Sequence, residues 1–328
     1  MILSKAPFRV SFFGGGTDYP LYYMEHGGSV ISTAIDKHLC IILRRSSPYS
    51  KYRYILKYSK IESVNDINQI EHPSIREVLR YFDVGFGVEL HVIADLPARS
   101  GLGSSSTFTV TMIAAVLRLL GSSVSSEEIG RIAIEIEQNV LKEKVGSQDQ
   151  IAAATGGFNK IDFLMGGNIR HSPIYLPQEI KVKLFSSMRL VYTNIQRSSS
   201  SVTGQQLENT KTGSLNSYLS ELKKLTETVY EDLLQHDISH FGSRLNQAWE
   251  LKKLFSDNIT NNVIDEIYKR GMKAGASGGK LLGAGNGGFL LFCVADEYKD
   301  QFDREFNEAT VLKIQPSNSG VQTRDIEP

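Results

Sequence analysis

The feature that most constrains the fold is a glycine–serine segment that runs directly into an apolar stretch. Residues 97–107 read PARSGLGSSST and are followed by FTVTMIAAVLRLLG. Ordering the two glycines is unfavourable, because glycine loses more backbone freedom on folding than other residues. A helix that is apolar on nearly every side is stable only when it is buried. The segment therefore predicts an ordered loop, entered from a strand, at the start of a buried helix over about residues 104–120.

Such a loop is suited to hold an anion. The N-terminus of a helix carries a partial positive charge and free N–H groups. Gly101 and Gly103 would let the backbone approach a ligand, and the hydroxyls of Ser104, Ser105 and Ser106 could bind phosphate or Mg²⁺. The alternative is a capped helix with a flexible entry. The segment is not a Walker A loop, because no Lys-Ser/Thr pair follows it.

Two further glycine clusters lie near the ends of the chain. FFGGGTDY (12–19) leaves a predicted strand and presents Thr17 and Asp18. A carboxylate can accept two hydroxyl hydrogen bonds, which suits a hydroxylated ligand, although Asp18 could instead cap its own turn. GAGNGG (283–288) has the spacing of a dinucleotide-binding fingerprint. Because it precedes a strand rather than a helix, it predicts a tight turn.

Composition excludes several classes of protein. Lys plus Arg and Asp plus Glu are both 36, which argues against a nucleic-acid or membrane-surface binder. Cys40 and Cys293 lie in apolar runs, which is typical of buried thiols in a reducing compartment. No apolar run approaches the roughly 20 residues of a membrane span, and the N-terminus does not resemble a signal peptide. We therefore expect a cytoplasmic protein without membrane partners.

The order of predicted elements indicates an α+β fold with two domains. The first half is rich in β-branched and aromatic runs bounded by Gly, Pro and Ser, which predict strands. Short strands are expected from 158 to about 195, and the polar stretch 196–204 is expected to be a loop. Further helices are predicted over about 126–142, 214–235, 240–254 and 261–273. The change from strand-rich to helix-rich sequence places the predicted domains at 1–190 and 191–328.

The three glycine segments together resemble the motifs of the GHMP kinases. PARSGLGSSS matches the P-x-x-x-G-L-G-S-S signature of that family, APFRVSFFGGGTDY is similar to its N-terminal motif, and GGKLLGAGNGG to its C-terminal motif. The resemblance extends over nearly the whole chain. It implies a ribosomal-S5-like N-terminal domain, a ferredoxin-like C-terminal domain, and ATP with Mg²⁺ bound between them.

The resemblance also assigns the residues that would hold Mg·ATP. The implied ATP contacts come from one continuous segment: Ser100, Gly101, Leu102, Gly103, Ser104, Ser105 and Ser106. The implied Mg²⁺ ligands are Ser105, with Ser106 as a close alternative, and Glu137. The helical pattern independently supports Glu137, because its neighbours three and four residues away are apolar, and a carboxylate in such surroundings needs a partner. A salt bridge is the alternative to a cation.

The resemblance places the chemistry on two further residues. Asp149 matches the family's catalytic aspartate, which would accept the proton of the attacking hydroxyl. Arg9 would lie near the same hydroxyl and keep Asp149 ionised. From the residues alone, Asp149 could simply cap a helix and Arg9 could be a surface strand residue. The implied contacts to the acceptor are Asp149 together with four residues of the N-terminal cluster FFGGGTDY: Gly15, Gly16, Thr17 and Asp18.

The form FFGGGTDY is most similar to the sugar-kinase branch that phosphorylates C1. Gly15 and Gly16 stand where galactokinases have Glu-His, which disfavours galactose and suggests room for a bulkier sugar. The implied acceptor is D-glycero-D-manno-heptose 7-phosphate, in nucleotide-heptose synthesis for surface polysaccharide. The alternatives are a free sugar, a mevalonate-type acceptor or a non-catalytic sugar- or ATP-sensing module. A homodimer is also an expectation.

An acceptor phosphate would need cationic donors at the far end of the pocket. Five basic residues are candidates, although none is placed by spacing and each could be a solvated surface charge: Arg99, Lys142, Lys144, Lys37 and Arg197.

Overall fold

Eight strands form a mixed sheet that occupies most of the first half of the chain. The computed structural model describes residues 1–195, 200–306 and 311–327. The strands of this first sheet are β1 (Ile2–Phe13), β2 (Gly28–Arg45), β3 (Tyr54–Lys57), β4 (Ile61–Val64), β5 (Val88–Ala94), β6 (Phe158–Phe163), β7 (Ile169–Pro173) and β12 (Gln322–Asp325). The order is β12-β1-β2-β5-β3-β4, with β6 paired to β2 and β7 to β6. Neighbours are antiparallel except β3 and β5.

Strand β2 is long because it pairs with different partners along its length. Residues 28–33 pair with β6, and residues 39–45 pair with β5. The β-branched runs GSVISTAI (28–35) and HLCIILRRS (38–46) predict two separate strands here, whereas the structure has one. Each half of β2 therefore belongs to a different part of the same sheet, and β1 lies along both.

Five helices accompany the first sheet: α1 (Pro20–His26), α2 (Pro73–Tyr81), α3 (Ser104–Leu119), α4 (Ser126–Glu135) and α5 (Gln148–Thr155). Helix α3 packs against β1 and β2, and every residue from Ser106 to Leu117 is buried. The apolar helix predicted over 104–120 is thus confirmed, and its lack of a polar face is explained by burial on all sides.

The helix predicted over 126–142 is shorter than expected. Helix α4 ends at Glu135 and is followed by a single π-helical turn over Ile136–Val140. Such wide turns occur often at functional sites, because they displace one residue from the regular helical pattern. Glu137 lies within this turn.

The second half of the chain forms a four-stranded antiparallel sheet with helices. Its strands are β8 (Met188–Tyr192), β9 (Ala276–Leu281), β10 (Phe289–Val294) and β11 (Val311–Leu312), in the order β11-β8-β10-β9. Its helices are α6 (Gln178–Ser186), α7 (Ser200–Lys211), α8 (Asn216–Leu234), α9 (Phe241–Lys253), α10 (Asn262–Lys273) and α11 (Lys299–Phe306). Numbered within this unit, the strand order is 4-1-3-2, which is that of a ferredoxin-like fold, as expected.

Three local expectations differ from the structure. Helix α6 occupies part of the region where only strands are predicted, because its sequence QEIKVKLFS alternates like a strand. Helix α7 begins at Ser200, within the predicted loop 196–204; residues 196–199, including Arg197, lie outside the described residues. Both cysteines are free, but only Cys293 is buried, while Cys40 is half-buried. Among the described residues, no helix is long and apolar enough to cross a membrane.

The division into residues 1–190 and 191–328 stays a prediction. It falls inside β8, which pairs with β10 and β11 and so lies entirely in the second sheet. A boundary before Met188 fits the pairing better. The chain also returns to the first sheet at its end, because β12 pairs with β1.

Helix α9 and strand β9 approach each other so closely that only glycine fits at their contact. A Cβ atom added to Gly278 would lie 1.8 Å from the carbonyl oxygen of Gly242. We expect Gly278→Ala to lower the free energy of unfolding by about 3 kcal/mol, since the helix must move away from the sheet. Urea denaturation followed by circular dichroism measures this.

Gly85→Ala is the matched control, because a Cβ there has no atom within 4 Å. It should change the free energy of unfolding by less than about 0.5 kcal/mol. A Gly278→Ala variant as stable as the wild type would contradict the close approach of α9 and β9.

Candidate active site

All three glycine clusters line one pocket between the two sheets. The N-terminal cluster contributes Gly15 and Gly16, and the glycine–serine loop contributes Gly101 and Gly103. The C-terminal cluster contributes four residues: Gly283, Ala284, Gly285 and Gly287. The clusters are far apart in sequence, so this meeting depends on the tertiary fold.

The glycine–serine loop is held by its own backbone and by the third cluster. Gly101 and Gly103 have φ angles of 80° and 79°, in the left-handed region that favours glycine. A Cβ on Gly101 would lie 2.7 Å from the carbonyl oxygen of Leu282, so the two loops touch directly. Gly103 is the N-cap of α3 and provides no side-chain cap. The helix N-terminus therefore faces the pocket with free N–H groups, which suits an anion and not the capped-helix alternative.

The predicted ATP-contact residues divide into two groups. Ser104, Ser105 and Ser106 line the pocket with Gly101 and Gly103. Ser100 and Leu102 are fully buried and do not line it, since they anchor the loop from behind.

The anchoring runs through backbone atoms. The Leu102 carbonyl accepts a hydrogen bond from the Arg9 N–H at 3.1 Å, and the Ser100 carbonyl accepts one from Phe289 N–H at 3.2 Å. The sequence signature thus contains both ligand-facing and structural positions.

Within the N-terminal cluster, Thr17 has a structural role. It is fully buried and does not line the pocket. Its hydroxyl donates to Gly14 O at 2.8 Å or to Ser29 O at 3.0 Å, and it accepts from Ser29 N–H at 3.1 Å. The expected contact between Thr17 and the acceptor is therefore not supported by its position.

Asp18 lines the pocket and also organises its own loop. Its carboxylate accepts hydrogen bonds from Gly16 N–H and from Gln148 Nε2, both at 2.9 Å. Burial raises the pKa of Asp18, because the charged form is removed from water. Both sequence interpretations of Asp18, as a turn cap and as a pocket carboxylate, are thus compatible with its geometry.

The extra room expected at the two glycines exists at only one of them. A Cβ on Gly15 would meet Gln148 and Ser11 at an ordinary 3.7 Å, so a cradle is open there. A Cβ on Gly16 would lie 2.8 Å from the ring of Phe255, which already fills that space. The expectation of room at Gly16 is therefore wrong, because an aromatic side chain from the second half of the chain occupies it.

Arg9 and Asp149 form a bidentate ion pair, and both residues line the pocket. Arg9 Nε and Nη2 donate to the two carboxylate oxygens of Asp149, each at 2.7 Å, and Nη1 donates to Gly101 O at 2.8 Å. Arg9 is only 4% exposed, so the surface-strand alternative is wrong. Asp149 lies in the first turn of α5 and lines the pocket. Both oxygens of its carboxylate accept from Arg9, so the guanidinium fixes the orientation of the carboxylate.

Glu137 is buried behind the serine loop with one oxygen satisfied and one free. Oε2 accepts from Ser106 Oγ at 2.8 Å and from Gln150 Nε2 at 2.5 Å, whereas Oε1 makes no hydrogen bond of good geometry to the described residues, with the Thr109 hydroxyl nearby. Burial raises the pKa of Glu137 to about 7. Within the described ranges Glu137 forms no ion pair, so the salt-bridge alternative finds no support there.

These atoms fit a hard divalent cation. Mg²⁺ takes oxygen ligands, commonly one carboxylate plus substrate phosphates and waters. Ser106 contacts Glu137, whereas Ser105 is exposed, so the geometry favours Ser106 over the predicted Ser105. Among the described residues no three His, Cys, Asp or Glu side chains cluster, so the remaining ligands would be phosphate and water oxygens.

Two buried lysines at the pocket are absent from the sequence-based site. Lys252 and Lys280 are 8% and 5% exposed, and both line the pocket. Burial lowers the pKa of Lys252 to about 7 and that of Lys280 well below its ordinary value. A signal was present for Lys252, because it lies three and four residues after Trp249 and Ala248 on the buried face of α9.

The five basic residues considered for an acceptor phosphate do not converge. Arg99 and Lys144 line the pocket as exposed side chains at its rim. Lys142 and Lys37 do not line it, and Lys37 Nζ lies 3.3 Å from Asp36. Arg197 lies outside the described residues.

Comparison with known proteins identifies the family. A profile described as GHMP kinases N terminal domain matches residues 70–157, and one described as GHMP kinases C terminal matches 229–309. A D-glycero-alpha-D-manno-heptose 7-phosphate kinase from Campylobacter jejuni is 30% identical, with 89% of each chain covered. An L-fucokinase/L-fucose-1-P guanylyltransferase from Bacteroides fragilis is 27% identical over 90% of this chain and 35% of its own.

One solved structure aligns over the full length. It is a D-glycero-D-manno-heptose 1-phosphate kinase from Bacteroides thetaiotaomicron, with a TM-score of 0.82, 26% identity and complete coverage of both chains.

Because the Glu137 carboxyl is buried, we expect the free energy of unfolding of the metal-free protein to depend on pH. Its pKa is raised on folding, so between about pH 4.5 and 7 the unfolded chain loses a proton that the folded protein keeps. Stability should fall as pH rises through this window and level off above it. We expect Glu137→Gln to remove roughly 3 kcal/mol of this fall. Urea unfolding at pH 5 and pH 8, with a chelator present, measures it.

Glu135→Gln is the matched control, because Glu135 precedes the same π turn but is exposed. It should keep the wild-type pH profile. Parallel profiles for Glu137→Gln and the wild type would show that Glu137 does not retain its proton in the folded protein.

Proposed function

Because the chain belongs to the GHMP kinase family, we propose that it phosphorylates the C1 hydroxyl of a heptose phosphate. The family makes it an ATP-dependent phosphotransferase with an alcohol acceptor. The main observation in support of this reaction type is that the Arg9–Asp149 pair lies beside an uncapped helix N-terminus in one pocket. The acceptor is supported by the Campylobacter jejuni relative, which acts on a heptose 7-phosphate by name.

Asp149 is the proposed general base. Phosphoryl transfer depends mainly on positioning and on neutralising charge, and the protein needs little covalent chemistry. Asp149 would accept the proton of the attacking hydroxyl, while Arg9 holds the carboxylate in one orientation through both oxygens.

The serine loop is the proposed site for the triphosphate. Free N–H groups at the start of α3 and the hydroxyls of Ser104 and Ser105 would bind phosphate oxygens. Ser106 and Glu137 would hold Mg²⁺, which when bound neutralises charge on the transferring phosphoryl group. The free Oε1 of Glu137 supports this assignment.

The proposed acceptor cradle lies at Gly15. Ser11 and Gln148 line the pocket, and among the described residues Ser11 Oγ and Gln148 Oε1 have no hydrogen-bond partner, so sugar hydroxyls would supply one. Asp18 lies beside them through its hydrogen bond to Gln148. Cytoplasmic location, a role in surface polysaccharide synthesis and a homodimer remain part of the proposal.

The experiment that tests the function is coupled ADP release with Mg·ATP and a panel of acceptors. The panel contains D-glycero-D-manno-heptose 7-phosphate, the corresponding free heptose, fucose, mannose, galactose and mevalonate. We expect turnover with the heptose phosphate, at least tenfold higher in kcat/KM than with any free sugar, and phosphate at C1 by NMR of the product. Preference for fucose or free heptose would replace this acceptor with a free sugar.

Asp149→Asn tests the proposed base. Turnover should fall on the order of 10³-fold, because the amide cannot accept the proton. Binding of ATP, measured by calorimetry, should persist. Asp162→Asn is the control, since Asp162 is also buried and paired, with Lys160 at 2.9 Å, but lies outside the pocket. Near-normal turnover of Asp149→Asn would exclude Asp149 as the base.

A further inference from the structure

Two ammonium groups from the second half of the chain face the pocket with no carboxylate partner. Lys252 is on α9 and Lys280 is on β9, and both side chains are more than nine-tenths buried. Neither forms an ion pair in the part of the chain that the structure describes. A buried charge is normally paired, because removing it from water costs several kcal/mol. Burial therefore disfavours the charged form of both lysines, and a bound anion would stabilise that form.

The hydrogen bonds of the two lysines leave donors unused. Lys280 Nζ donates to Phe12 O at 2.7 Å. Lys252 Nζ donates to Leu281 O at 3.1 Å and also to Gly283 O. An ammonium group has three donors, so two remain on Lys280 and one on Lys252. All existing partners are neutral carbonyls, which orient the ammonium groups without neutralising them.

The acidic residues of the pocket do not supply the missing charge. Asp149 is already matched by Arg9 through both oxygens. Asp18 accepts its hydrogen bonds from Gly16 and Gln148, and although it lies near enough to raise the pKa of both lysines, it forms no ion pair with either among the described residues. Burial and the nearby charge of Arg9 lower the pKa of Lys252, and burial, Lys252 and Arg9 lower that of Lys280, while Asp18 offsets only part of either shift. A bound anion would offset the positive charge of the two lysines.

The two lysines contact different parts of the pocket wall. Lys280 is held by the carbonyl of Phe12, at the end of β1 and directly before the cluster Gly14–Gly16 that forms the acceptor cradle. The N-terminus of α3 and its serines already provide an anion site of their own. Lys252 lies next to Gly283, which packs against Gly101 between the two regions.

We propose that Lys252 and Lys280 form a phosphate-binding pair that receives the phosphate carried by the acceptor. The inference rests on the proposed kinase function and makes this pair the determinant of selectivity for phosphorylated sugars. It replaces the exposed rim residues Arg99 and Lys144 in that role, because a buried cation gains more from a phosphate than a solvated one. The chemistry recognised is a phosphate dianion, which could also arrive as the γ-phosphate of ATP.

The test compares acceptors with and without the phosphate. Lys252→Met and Lys280→Met keep most of the side-chain volume and remove the ammonium group. For each variant we expect kcat/KM for D-glycero-D-manno-heptose 7-phosphate to fall about 10- to 100-fold, mainly through KM, since charged hydrogen bonds are lost. The loss with the free heptose should be at least tenfold smaller, and KM for ATP should change less than threefold.

Lys253→Met is the matched control. Lys253 neighbours Lys252 on α9, but its Nζ pairs with Glu250 at 2.7 Å and it does not line the pocket. It should leave both acceptors at wild-type rates. The thermal midpoint of each variant checks folding. If a methionine variant does not fold, Lys252→Gln and Lys280→Gln, which can still donate to the same carbonyls, take its place.

Three outcomes would overturn the proposal. Equal losses with both heptoses together with a raised KM for ATP would assign the lysines to the γ-phosphate. Unchanged selectivity in both variants would remove them from phosphate binding. If the wild type uses neither heptose, the proposed function fails, and the pair is tested by calorimetric titration with inorganic phosphate. Equal binding by wild type and the double Lys252→Met, Lys280→Met variant would then reject it.

Discussion

The site depends on the side chain of Arg9, which connects three distant parts of the chain. Its guanidinium binds both oxygens of Asp149 on α5 and the carbonyl of Gly101 in the serine loop, while its backbone N–H binds Leu102. A planar guanidinium can make these bonds simultaneously in one fixed geometry, which an ammonium group cannot. The distance between the proposed base and the proposed phosphate loop is therefore set by one buried residue on β1.

The close approach of glycines completes the pocket from the other side. Gly101 packs on the backbone of Leu282 and Gly283, so the first and second halves of the chain meet without side chains between them. Phe255 fills the space at Gly16, and Gly15 is left open beside Ser11 and Gln148. Backbone contacts of this kind bring N–H groups close to a ligand, at the expense of the conformational entropy of several glycines. Gly101 and Gly283, which lie in segments that look flexible in sequence, are therefore in close backbone contact in the structure.

The buried ionisable groups at this site retain hydrogen-bonding capacity for a charged substrate. Glu137 has a free buried oxygen, and Lys252 and Lys280 have unused donors. In each case burial disfavours the charged form, because a buried charge without a partner is destabilising. Mg²⁺ beside Glu137 and phosphate beside the lysines would each relieve this. Such groups would make binding selective, because only ligands of complementary charge are electrostatically stabilised beside them.

The sequence by itself determined the family, the buried helix α3 and the glycine clusters, because these follow from local pattern and motif spacing. Glycine positions with φ near 80° and a helix without a polar face have few alternatives. Only the tertiary structure decided which members of each motif face the pocket. Thr17 points into the interior, and Ser106 rather than Ser105 contacts Glu137. A π turn follows α4 where the helical pattern predicts a continuous helix. The tertiary structure also brought Lys252 and Lys280 to the site: helical periodicity indicates that Lys252 is buried but not what it faces, and the contact of Lys280 with Phe12 joins residues too far apart to leave a periodic pattern.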